Sequence, residues 1–273
     1  MTFASRNRAA GIACACVVML AGPATAADWP DINFLRPGIA PGVWSGSYIG
    51  GHYGYTNLGA NFNGATQQGV ATILRQSQLE AEQHPSRWPV LGRTHVKDNS
   101  FGGFAGYNVD LGGSLVMGMD GAYVDTDLST STSGTLSRTE TVGGTANAVT
   151  IAGSSSLRLH DYFTARFRAG YAFGQFLPYA AIGAAAGRFS WTTSTTVTVI
   201  IDPTGTPSTY GPFTETYSRD KQYVAGVSAA LGMDVMITPN VFLRGEWEFV
   251  QFGKVGNIKP NINTARVGVA VKF

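Results

Sequence analysis

The chain has 273 residues, 35 of them glycine, and only 13% are charged, against about a quarter in ordinary soluble domains. A formal charge of +2 is too small to point to a nucleic-acid partner. Beyond the N-terminal segment no apolar run reaches 18 residues, which excludes a helical membrane protein.

Residues 1–26 open with Arg6 and Arg8, continue through an apolar run from Ala9 to Gly22, and end with Ala24 and Ala26 as small residues before a cut. This is the layout of a secretory signal peptide. Its removal takes Arg6 and Arg8 and leaves acidic and basic residues in balance, and it takes both cysteines, Cys14 and Cys16. The rest of the chain therefore has no disulfide or thiol chemistry. Residues 27–43 are proline-rich and read as an extended periplasmic arm. Whether that arm enters the domain that follows, residues 44–273, is left open.

From Trp44 onward the sequence falls into short alternating segments. "WSGSYIGGHYGY" sets Ile49, Tyr53 and Tyr55 against Gly50, His52 and Gly54. "SFGGFAGYNVDL" sets Phe101, Ala105, Tyr107, Val109 and Leu111 against Gly102, Gly106, Asn108 and Asp110. "LVMGMDGAYV" opposes Leu115, Met117, Met119 and Tyr123 to Gly118 and Asp120. "YFTARFRAGYAF" opposes Phe163, Ala165, Phe167, Ala169 and Tyr171 to Thr164, Arg166, Arg168 and Gly170. "PYAAIGAAAG" is small and apolar throughout, with little visible alternation. "VSAALGMDVMI" puts Val227, Leu231, Met233 and Val235 opposite Ser228, Gly232 and Asp234. "VFLRGEWEFV" puts Leu243, Trp247 and Phe249 opposite Arg244, Glu246 and Glu248. The last, "TARVGVAVKF", separates Val267, Val269, Val271 and Phe273 from Arg266, Gly268 and Lys272.

These eight segments have the period and length of strands that cross an outer membrane, with one parity toward lipid and the other toward the lumen. Long connections, Thr56–Asn99, Asp125–Ser156 and Ser190–Asp220, alternate with short ones at Gly112-Gly113, Phe173–Leu177 and Thr238–Asn240. The expected fold is all-β: an eight-stranded antiparallel up-and-down transmembrane barrel with three long extracellular loops. The Ser- and Thr-rich second and third loops favour strand and should extend the barrel as hairpins. "TILRQSQLEAEQH" in the first loop suggests a short helix.

Within the strands the charges keep to the polar parity: Asp110, Asp120, Arg166, Arg168, Asp234, Arg244, Glu246, Glu248, Arg266 and Lys272. An eight-stranded interior is only wide enough for packed side chains, and buried charges must be paired. The expectation is a plugged lumen with an ionic network centred on Arg166, Arg168, Arg244, Glu246 and Asp234, joined by Asp120, Glu248 and Arg266. A narrow pore is the alternative on the same residues. A soluble periplasmic β-protein is a further one.

"WSGSYIGGHYGY", "RFRAGYAF", "LRGEWEFVQFG" and the terminal "VGVAVKF" resemble the Omp25/Omp31-type outer-membrane proteins of alphaproteobacteria over Trp44 to Phe273. The resemblance implies an eight-stranded barrel of the OmpA type in the bacterial outer membrane, surrounded by its lipids, with loops available for host or surface ligands. It implies that Phe273 is the signal read by the barrel-assembly machinery. Haem binding occurs in some members, which makes His84 and His95 the candidate ligands for that one cofactor.

No enzyme motif is present. "SSSLRLHD", with His160 and Ser154–Ser156, is the nearest approach to a nucleophile and base, and reads as a polar rim. No metal-ligand spacing occurs. The chain reads as a non-enzymatic barrel with a structural or surface-interaction role.

Overall fold

The computed structural model describes residues 43–273; the signal peptide and residues 27–42 of the arm lie outside the described residues. Eight strands run antiparallel in chain order around a closed barrel: β1 Gly46–Asn61, β2 Arg93–Asp110, β3 Leu115–Val142, β4 Thr145–Tyr171, β5 Phe176–Ile201, β6 Ser208–Thr238, β7 Val241–Phe252 and β8 Lys259–Lys272. β1 pairs with β8, from Tyr48 opposite Lys272 to Asn61 opposite Lys259. That seam removes both sheet edges, which no open sheet could leave unpaired in hydrocarbon.

The parity expected from the sequence is the parity observed. Ile49, Phe101, Met119, Phe167, Leu231, Trp247 and Val267 point out and are exposed, whereas Asp120, Arg166, Asp234, Arg244 and Glu248 are buried inside. Exposed apolar side chains span Leu115–Tyr123 on β3 and Phe163–Tyr171 on β4, about the length a tilted strand needs to cross a bilayer. β5 alternates like the rest. Tyr179, Ala181 and Ala185 are buried, and Ile182 is exposed. A run of Ala and Gly hides its parity in the sequence because small residues are tolerated on either side.

The second and third long connections are hairpins, as their Thr content suggested. β3 and β4 continue to a turn at Gly143-Gly144, where both φ angles are positive (58° and 84°), the conformation of a two-residue hairpin turn. β5 and β6 continue to Ile201 and Ser208. Beyond about Asp127 these four strands leave the barrel and form a four-stranded blade, roughly 50 Å of strand at about 3.3 Å per residue.

The first connection is shorter than expected, because β1 and β2 stay paired out to Asn61 and Arg93. It holds two helices, α1 Gln67–Ile73 and α2 Gln78–Gln83, where the sequence suggested one. Gln76 takes a positive φ of 65° and breaks the helix. Ser77 restarts it, its hydroxyl accepting from the Glu80 N–H at 3.1 Å, an N-cap. Leu74, Leu79 and Trp88 then pack on the inner face of the blade against Val149, Ile151 and Val197.

Candidate functional site: the lumen

Three layers fill the barrel. At the outer mouth an apolar layer includes Leu58, Phe62, Leu128, Leu157, Phe189, Phe252 and Ile262. Phe62 and Leu91 come from the ends of the first connection, which folds over the mouth. At the opposite end Trp44, Tyr48, Phe104, Leu177 and Phe242 form a second apolar layer. The charges lie between.

The eight charges expected to form the network meet. Arg166 gives all five of its N–H donors to three carboxylates. It bonds Asp120 at 2.8 and 3.1 Å, Glu246 at 2.7 and 3.1 Å, and Glu248 at 2.9 Å. Arg244 grips Asp234 in a fork at 2.8 and 3.0 Å and reaches Asp120 at 3.2 Å. Arg168 donates to Asp234 at 2.7 Å and to the Tyr48 hydroxyl at 3.0 Å. Arg266 bonds Glu246, at 2.9 Å through Nε, and lies 3.2 Å from Glu248. The result is one chain, Arg168–Asp234–Arg244–Asp120–Arg166–Glu246/Glu248–Arg266, in which four cations and four anions cancel and every carboxylate touches two guanidiniums. Fully buried charges can persist only with this degree of pairing.

Neutral side chains take up part of the remaining capacity, while Arg266 Nη1 has no partner among the described residues. The Tyr179 hydroxyl donates to Glu246 at 2.5 Å and Ser228 to Glu248 at 2.8 Å. Tyr162 contacts Thr264 at 3.0 Å, and Thr264 contacts Thr56 at 3.0 Å. The Arg168 guanidinium stacks 3.8 Å from the Tyr179 ring centre and that of Arg244 4.3 Å from Phe104, adding cation–π attraction. Glycine makes the room. A side chain at Gly232 would meet the Tyr179 ring at 2.5 Å, and one at Gly54 would meet Arg266 Cβ at 2.8 Å.

Sequence reasoning missed the lumenal Tyr48, Phe104, Tyr162, Tyr179 and Phe242. The available signal was an aromatic residue on the polar parity, which Phe104, Tyr162 and Phe242 show beside Asp110, Arg166 and Arg244, and Tyr48 beside Gly50 and His52. Two of the ten inward charges stand at the rim instead. The Asp110 carboxylate accepts from the Gly112 N–H at 2.9 Å, and Lys272 donates to the Ser45 carbonyl at 3.1 Å. They sit at strand ends, where the lumen opens. Arg188 breaks the parity rule at the outer rim, where it pairs with Asp161 beside a strand irregularity. His52 is buried and stacked on Phe104.

The other sequence candidates are dispersed. His84 is exposed at the left-handed end of α2. His95 is exposed on β2, opposite Gly59. Neither lines the apolar cavity beside α1 and α2. His160 Nε2 does lie 2.8 Å from Ser190 Oγ, but Asp220 takes the serine at 2.5 Å. A relay needs the acid on the histidine, so this order is a polar rim contact. Phe273 is exposed on the outward parity, and its N–H bonds the Ser47 carbonyl at 2.9 Å.

The family model described as outer membrane protein beta-barrel domain matches residues 12–273. The chain belongs to this outer-membrane β-barrel family. Its place is the outer membrane, and the exposed apolar band faces lipid. Among solved structures, Neisserial surface protein A is 16% identical, covering 84% of this chain and 98% of that one, with a TM-score of 0.38. The attachment invasion locus protein Ail of Yersinia pestis is 13% identical over 84% and 99%, with a TM-score of 0.36. OprG of Pseudomonas aeruginosa is 9% identical over 84% and 96%, with a TM-score of 0.35. No curated protein matches the chain.

Proposed function

We propose that this barrel works as a sealed, non-conducting anchor in the outer membrane, with a structural and surface-interaction role carried by its extracellular blade. The observation behind this reading is the three-layered lumen. An ion would have to pass two apolar layers and displace a charge chain whose side chains are 0–3% exposed. The blade supplies the surface. Its outward side carries cross-strand rows of hydroxyls such as Ser131–Ser156–Thr192–Ser218, and its inward side is stiffened by the helices of the first connection.

Planar-bilayer recording of the refolded protein tests the proposal. The expected result is a quiet membrane, and large, stable single-channel openings would refute it. The same proposal gives Phe273 a role in delivery, as the exposed lipid-side residue that the assembly machinery reads.

A further inference from the structure

The blade carries a cavity that neither the lumen nor the proposed anchor role uses. It lies far above the lipid-facing band, between α1, the start of α2 and the inner face of the two hairpins, and measures about 350 Å³. Val197 and Val199 of β5 form its floor, and Ile73 and Leu74 its wall. Tyr210 and Phe213 of β6 stand at its mouth, 54% and 53% exposed.

The placing of the two aromatics is the telling feature. Residues three apart on a regular strand point to opposite faces. Here the register slips between Val197, opposite Phe213, and Val199, opposite Tyr210. The extra residue in β6 is a bulge at Gly211-Pro212, and Gly211 has a φ of 100°. A bulge re-aims the side chains beside it. This one turns both rings onto the inner face, toward the cavity. Without it one ring would face solvent on the hydroxyl-bearing side.

We propose that this cavity is a binding site for a small apolar molecule about the size of one or two aromatic rings. An apolar cavity of about 150 Å³ already admits benzene, and about 300 Å³ is the lower end for ligand sites. The floor and wall present aliphatic carbon, and the polar lining is confined to the uncharged Ser77, Gln78, Thr145 and Asn147, so the lining favours an apolar guest over an ion. Exposed rings at the mouth offer edge or face contacts to an aromatic guest. The proposal rests on the blade and is independent of whether the lumen conducts.

Methyl NMR of the full-length refolded protein in lipid nanodiscs, titrated with toluene, tests it. Saturating shifts are expected at Ile73, Leu74, Val197 and Val199, with only non-saturating partitioning shifts at the lipid-facing Ile182 and Leu231. Val199→Trp fills the floor and abolishes the saturating response. A Tyr210→Ala/Phe213→Ala variant, which leaves floor and wall intact, weakens binding about tenfold. Cavity methyls that shift only in parallel with Ile182 and Leu231 would overturn the site. So would a wild-type titration in the double variant.

Discussion

Replacing Arg166 with methionine tests the lumen network at its centre. The arginine side chain is 0% exposed and holds three carboxylates. Without it Asp120 keeps Arg244, while Glu246 and Glu248 keep only Arg266. The lumen is left with one uncompensated negative charge. Breaking a buried ion pair costs roughly 3–5 kcal/mol, so Arg166→Met should destabilise the barrel by about 4 kcal/mol. Urea unfolding in lipid vesicles, followed by the shift between folded and unfolded mobility on unheated gels, measures this. The discriminating variant is Arg166→Met/Glu248→Gln, which restores charge balance with three cations and three anions. It should recover about half of the loss, since a neutral amide is far cheaper to bury than a lone carboxylate. A loss below about 1 kcal/mol for the single variant, the size of a surface pair, would refute the reasoning. A double variant less stable than the single one would do the same.

Two further outcomes are accessible. Arg158 donates to Asp127 at 2.5 Å through Nε and through Nη2 at the base of the blade and holds the Asp127 carboxyl below the ordinary value of 3.8. A depressed acid stabilises the fold above its ordinary value and loses that contribution as pH falls through the folded one. Both side chains are at least half exposed, so Asp127→Asn should cost less than about 1 kcal/mol at neutral pH, and nothing once both forms are uncharged in acid; a constant difference across an acid titration of stability counts against the pair. Phe273→Ala should lower the amount in outer-membrane fractions several-fold, while the protein that does insert stays heat-modifiable. Equal amounts of variant and wild type would remove the assigned role in delivery.

The barrel was legible because lipid and lumen impose opposite chemistry on alternate residues. Phe163, Phe167 and Tyr171 against Arg166 and Arg168 show that opposition plainly. Charge sign then gave the network, since the eight buried charges of one parity can share a narrow lumen only as pairs. Three features were less visible. Ala180–Gly187 carries no parity signal, so Tyr179 could not be placed. The apolar plug at the outer mouth draws on Phe62 and Leu91, distant in sequence, which meet only when the first connection folds back. The pairing of Tyr210 with Phe213 depends on a bulge, and an odd spacing in the sequence points the opposite way.

The ionic chain has a mechanical consequence. Asp120 on β3 and Arg244 on β7 are joined at 3.2 Å straight across the lumen, between strands that share no backbone ladder. A hydrogen-bonded cylinder resists stretching along its wall, yet it can flatten into an oval with little change in strand pairing. A tie across the diameter opposes that flattening, as a spoke does in a rim. The blade rises from β3 to β6 on a base of fixed cross-section, so a molecule that engages it meets a surface already set in shape. Little ordering entropy is then lost at the foot of the blade when contact is made.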